Sequence, residues 1–234
     1  MKKIVSSVLS QLLSRYIDYI DESQLEIELW NGKCQLENVK IAENALSSHY
    51  IPLIVQKGVL DKINLIFPWS RLKSEPCEIN IENIFILATI NGTTLIYKDL
   101  SSKNKSKSLE ALDSSMESGS SLTAFNSIID NLRVNLKNIH LRIEIPIKDH
   151  YIALGIMFSN IFIYTVDEHN QLYFTPNSAT TIYKRAEVEN FTIYLDPETS
   201  SFCGDNFSNL MLNSMKENHH NILNPFSFEI NLNH

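Results

Sequence analysis

Few side chains in this 234-residue chain are spaced for chemistry. His140 and Arg142 stand two apart in LKNIHLRIE, on the side of a strand opposite Ile139, Leu141 and Ile143. They read as an outward face, either solvated or serving as a structural anchor or partner contact. His219-His220 sits among Asn and Glu in a polar stretch, without the ligand spacing that a zinc site needs. Cys34, Cys77 and Cys203 are odd in number and far apart, which fits a reducing compartment and no metal motif. With six glycines the chain has no Gly-rich phosphate loop. No Ser-His-Asp or Cys-His arrangement can be drawn, and nothing places two carboxylates on one site. Trp30 and Trp69 flank turn signals and are expected to pack at corners. The expectation is a non-enzyme with no catalytic residue, no metal and no cofactor.

Composition narrows the partners. The net charge is −7, and the only basic tract is a short one near Lys103–Lys107, which argues against a nucleic-acid binder. Hydrophobic residues make up 44% of the chain, so a large apolar surface must be covered by something. The longest nearly apolar run, Ile84 to Ile90, is far short of the ~20 residues that cross a bilayer as a helix. Lys2 and Lys3 precede IVSSVLSQLL, where Ser and Gln interrupt any signal-peptide core. A cytosolic protein is expected.

The elements follow from periodicity. Ile4, Val5, Val8, Leu9, Leu12, Leu13, Tyr16, Ile17 and Ile20 recur at three- and four-residue steps, which predicts an amphipathic helix ending near Asp21-Glu22-Ser23. Its apolar face would cap the protein's own core, with the first turn (Met1, Lys2, Lys3, Ile4) close to a membrane. The period then changes to two. Leu25, Ile27 and Leu29 predict a strand, Asn31-Gly32 a hairpin turn, and Leu36 the return strand. Further alternating runs begin at Ile63, Ile79, Leu132, Ile139, Ile152, Ile161, Phe191 and Phe226. The Ser- and Lys-rich segment 101–121 reads as a mobile loop. It divides the chain into 1–100, the helix plus β-strands, and 122–234, a second β segment. The class is α+β, mostly β and mostly antiparallel.

One pattern recurs five times: LENVKI, IENIFI, LKNIHL, FSNIFI and VENFTI, with Asn at 38, 83, 138, 160 and 190. At Asn83, Asn138, Asn160 and Asn190 the apolar residues step by three instead of two, as from Ile81 to Ile84. A regular strand would throw the second set onto the other face. One inserted residue, a β-bulge, keeps both sets on one face and bends the strand, and Asn tolerates the left-handed backbone this needs. Many strands bent alike would form a curved sheet with an apolar trough. Two such sheets closing on each other as a sandwich fit the pattern equally well.

The residues resemble a known family. YIDYIDESQLEIELWNGKCQLENVKIAENAL and IPLIVQKGVLDKINLIFPWSRLKSEP are similar to the N-terminal chorein domain of the vacuolar-protein-sorting-thirteen family of bridge-like lipid-transfer proteins. IIDNLRVNLKNIHLRIE is the most specific block, and ILNPFSFEINLN resembles a Leu-x-Pro block. Ser14, and Glu144-Ile145-Pro146 after the His-x-Arg pair, depart from the family pattern. The chain is much shorter than typical members, and an N-terminal piece of a longer chain is expected.

The resemblance implies a strongly curved antiparallel sheet of the repeating β-groove type. That groove would bind glycerophospholipids and pass them between organelle membranes at contact sites, with the N-terminal end near the endoplasmic reticulum. The expected floor is Ile63, Leu65, Phe67, Ile79, Ile81, Ile84, Ile86, Val134, Leu136, Ile139, Leu141, Ile143, Leu154, Ile156 and Phe158. A tether with a closed β core is the alternative. Groove binding has a clear physical basis. Each methylene kept out of water is worth about 0.8 kcal/mol, so one sixteen-carbon tail represents roughly 13 kcal/mol.

Overall fold

The computed structural model describes residues 10, 13–14, 16–18, 22–46, 53–72, 74–90, 126–175, 181–204 and 218–233. The segment 101–121 and Met1–Ile4, expected to lie near a membrane, fall outside them. Most of the expected first helix does too. Leu13 and Ser14 are helical, and by Ile17 the chain has left the helix to form a β-bridge with Ile41.

Glu22–Asn31 is a helix, α1, and this corrects the strand and hairpin expected there. Leu25 and Leu29, one turn apart, are 2% and 0% exposed, whereas Ile27 is 56% exposed. A strand would place all three on one face; a helix separates Ile27 from the other two. Burying the two leucines is worth about 2 kcal/mol each, and Leu and Glu are good helix formers. Gly32 ends the helix at φ 88, in the left-handed conformation of a helix stop rather than a hairpin. Its N–H donates to Leu29 O at 3.0 Å. A Cβ there would come within 2.6 Å of Phe67 O, so no larger residue fits without movement.

Seven strands follow: β1 Lys33–Lys40, β2 Leu53–Ile66, β3 Glu78–Ile90, β4 Arg133–Ile147, β5 His150–Val166, β6 Tyr183–Thr199 and β7 Asn221–Asn233. They form one open sheet in chain order, so the described residues do not close into a sandwich. Every neighbouring pair is antiparallel except β3–β4, which is parallel. That pair is in register level by level: Ile79 with Val134, Ile81 with Leu136, Ile84 with Ile139, Ile86 with Leu141. The helical turn at 126–130 leads into β4 and is fastened by Asn131. Its Nδ2 donates to Ser127 O and Thr175 O, both at 3.0 Å, and its Oδ1 accepts Thr175 N–H at 2.7 Å.

The slip at asparagine takes the form of an inserted residue at β6–β7 and another form in the strands before it. Asn38, Asn83, Asn138 and Asn190 have φ of 54, 56, 52 and 51. Yet β1–β2, β3–β4 and β4–β5 pair past this level with no register shift, and the one shift in β2–β3 lies elsewhere, between Val55 and Lys57. From β1 to β6 neighbouring strands slip together, but β6 and β7 shift register between Val188 and Phe191, three residues against two, so at Asn190 the expected bulge is present. Asn160 is a correction. It pairs with Lys137, one residue beyond the level, has no positive φ, and leaves Ser159 at the level in β5. Asp61 holds the level in β2.

The main core lies on one face of β1–β3. Leu25 and Leu29 of α1, Ile17 and Ile128 pack there on Cys34, Val39, Leu60, Ile63, Leu65, Phe67 and Cys77. Trp69 fills the corner after Pro68, as expected. It stacks on Phe67 at 5.6 Å, and its Nε1–H donates to Leu29 O at 2.7 Å. Trp30 is 42% exposed.

Candidate functional site

The apolar face runs the full width of the sheet. Leu36, Ile63, Ile81, Leu136, Ile161, Val188 and Phe228 share one level on successive strands. Val39, Leu60, Ile84, Ile139, Phe158, Phe191 and Phe226 share the next. Leu36 with Val39, Leu60 with Ile63, and Ile81 with Ile84 all contact the same core, so both levels present apolar groups to one side.

Cover on this face changes along the sheet. Ile63, Leu65 and Phe67 are buried in the core beneath α1, and Ile79, Ile81 and Ile84 are half-buried against it. Ile86 is half-buried. Val134, Leu136, Ile139, Leu141 and Ile143 of β4, and Leu154, Ile156 and Phe158 of β5, are half-buried and stand on successive strands with no described helix among their core partners. Leu195, Phe226, Ile230 and Leu232 are exposed. The sheet is thus covered at its β1 end and open toward β7.

The expected floor stopped at Phe158 and missed an aromatic patch. Phe158 and Phe191 lie 5.1 Å apart, Phe191 and Phe226 5.4 Å, and Phe191 and Phe228 5.9 Å. The available signal was the slip at Asn190. It places Val188 and Phe191 on the same side, as it does Ile81 and Ile84.

The opposite face corrects the reading of His140 and Arg142. Both point away from the apolar face, as expected, but they are buried, because residues 201–204 and 218–220 cover them. Arg142 is 0% exposed. It donates from Nε to Glu144 Oε1 at 2.9 Å and from Nη2 to Thr199 Oγ1 at 2.8 Å, and it lies 4.3 Å over the Phe202 ring. Asp196 Oδ2 is 3.6 Å from its Nη1. Glu144 also accepts from Ser201 Oγ at 2.6 Å and Phe202 N at 3.1 Å. His140 Nε2 and Tyr194 OH are hydrogen-bonded at 2.7 Å, and the His219 ring stacks on Tyr194 at 3.7 Å. His219 Nδ1 meets Asp196 Oδ2 at 2.8 Å, and His220 N–H donates to Asp196 Oδ1 at 3.0 Å. The two histidines therefore fasten the approach to β7 onto the back of the sheet.

Electrostatics agree with a structural role. Burial above all, with His219 and Arg142 nearby, pulls His140 down to about 3, so it stays neutral. Burial works to raise the Asp196 carboxyl, but the His220 N–H and the His219 ring outweigh it and hold the group below its usual range. Cys34 and Cys77 are buried, and burial pushes both thiols up to about 12, with Glu28 adding to the effect at Cys34 and Glu78 at Cys77. Cys203 is exposed. Among the described residues no three His, Cys, Asp or Glu side chains cluster as metal ligands, and no helix is long and apolar enough to cross a membrane.

A single open sheet, capped at one end and apolar along one side, defines a β protein that presents a surface. The chain belongs to the VPS13-like family: the model of that family's N-terminal region matches residues 1–228. The chain is 31% identical over 221 residues to a Chaetomium thermophilum protein named intermembrane lipid transfer protein VPS13, covering 85% of this chain and 7% of that one. It is 32% identical over 225 residues to Dictyostelium discoideum vps13A, again 85% of this chain and 7% of the relative. Mouse VPS13A is 27% identical over 221 residues, 86% of this chain and 7% of the relative. Both carry the same intermembrane lipid transfer description. The chain therefore spans less than a tenth of the length of these relatives.

Proposed function

We propose that this chain binds glycerophospholipids by their tails on the open apolar face, as the N-terminal part of a protein that moves lipids between organelle membranes. The observation that carries this reading is the change of cover along one continuous apolar face, from buried beneath α1 to exposed at β7. Covered apolar residues stabilise the fold; uncovered ones in contiguous rows serve a ligand or a partner. Tails resting there stay out of water while headgroups remain solvated at the strand ends. No bond is made or broken, so no catalytic group is needed.

On this reading residues 1–100 form the cap and 122–234 continue a curved trough. Ile79–Ile86 mark the boundary, the β4 and β5 residues form the floor, and Ile63, Leu65 and Phe67 line the covered end. The N-terminal residues face a membrane, the endoplasmic reticulum by family resemblance. The protein is peripheral there, on the cytoplasmic side of a contact site. The names of the relatives support lipid as cargo.

Native mass spectrometry of the purified chain, with lipid extraction, tests the proposal. Co-purifying phospholipid is expected, more than one molecule per chain. A lipid-free mass that persists after incubation with phosphatidylcholine vesicles would favour a tether without transport.

A further inference from the structure

The repeated asparagine has a role that neither the core nor the apolar rows account for. Asn83 Nδ2 donates to Asp61 Oδ2 at 2.9 Å, and Asn138 Nδ2 donates to Asn83 Oδ1 at 2.8 Å. Farther along, Asn190 Nδ2 donates to Ser159 Oγ at 3.0 Å, and the Asn190 N–H donates to Ser227 Oγ at 3.2 Å. These side chains occupy one level of the sheet and form two runs of a polar ladder across the strands. The backbone is left-handed at this level in four strands. A single left-handed residue interrupts the extended backbone and turns the strand's direction. Here the breaks are aligned, so their turns add along one line perpendicular to the strands. The two apolar levels flanking the line are three residues apart and face the same side.

We propose that this asparagine row is a crease along which the sheet folds, and that it positions the bound tails lengthwise across the strands between the two flanking apolar levels. The inference rests on the lipid reading and assigns its positioning residues, Asn83, Asn138 and Asn190. Their amides do not touch the tails. They act through backbone direction, with the ladder holding each strand's break at the common level. Alanine strains the left-handed conformation, whereas glycine adopts it freely.

The test compares the N83A/N138A/N190A chain with N83G/N138G/N190G, each purified and incubated with phosphatidylcholine vesicles, then counted for lipid by native mass spectrometry. Circular dichroism reports the fold. The alanine chain is expected to keep its β-sheet signal and hold about fivefold less lipid, and the glycine chain to stay near wild type. A folded alanine chain as loaded as wild type overturns the crease, as does a glycine chain as empty as the alanine one. If the alanine triple variant does not fold, N190A against N190G makes the same comparison at the open end of the sheet, with the same two outcomes. A lipid-free wild-type chain overturns the lipid reading itself, and this inference with it.

Discussion

Gly155 lies directly beneath the ring of Tyr194: a Cβ on Gly155 would fall 1.9 Å from Cε1. The two residues are paired on β5 and β6, so neither can move away along the sheet. Tyr194 is 0% exposed, clamped between its bond to His140 and the stacked His219 ring. Gly155→Ala is therefore expected to expel the ring and destabilise the protein by about 2–3 kcal/mol, as overpacking does in a tight core. Urea denaturation of the variant checks this; an unchanged midpoint would mean that the ring relocates freely.

His140 makes stability sensitive to acid. Its folded pKa, about 3, lies below the ordinary value of 6.5, so the unfolded chain binds a proton more readily in that window. Stability is fully present above pH 6.5 and falls as pH drops toward 3, by up to about 1.4 kcal/mol per pH unit. Asp196, held low, adds its own loss only below the carboxylate range. His140→Gln should flatten the curve between about pH 6.5 and 4 while leaving the acid limb. Midpoints of thermal unfolding across that range measure both slopes, and equal slopes in the two proteins would exclude His140 as the source.

The apolar face should divide into two kinds of position. Leu65 is 1% exposed beneath α1, so Leu65→Asp buries an unpaired charge and is expected to unfold the chain. Leu141 and Ile156, paired on β4 and β5, are half-buried on the open part of the face. Leu141→Asp with Ile156→Asp should leave the circular dichroism intact and abolish co-purifying lipid. A folded double variant with full lipid content would remove these strands from the floor.

Much of the sheet is legible in the sequence. Alternation located strands in every segment that forms β2 to β7, and the three-residue step at Asn foretold that both halves of a strand share one face. What failed was long-range in origin. Leu25, Ile27 and Leu29 satisfy a two-residue period, but Leu25 and Leu29 equally satisfy one helical turn. The choice was made by the core that only those two reach. The parallel β3–β4 pair left no local mark, since it depends on how 91–132 returns the chain. The Asn160 reading erred by one residue because the level in β5 is set by its neighbours' register, which no single strand records. His140, Arg142 and Glu144 alternate like a wet face. They became a buried network because Phe202 and His219, some sixty to eighty residues away, lie over them.

The cysteines carry a practical consequence. Burial holds both the Cys34 and Cys77 thiols far above neutral pH, so they stay protonated, and both sulfurs are enclosed. Cys203 alone of the three is exposed, in the turn that covers the back of the sheet. A maleimide dye added to the unmodified chain will therefore attach at one place, on the side away from the apolar rows. The protein comes with a built-in reporter position that leaves its apolar face unlabelled.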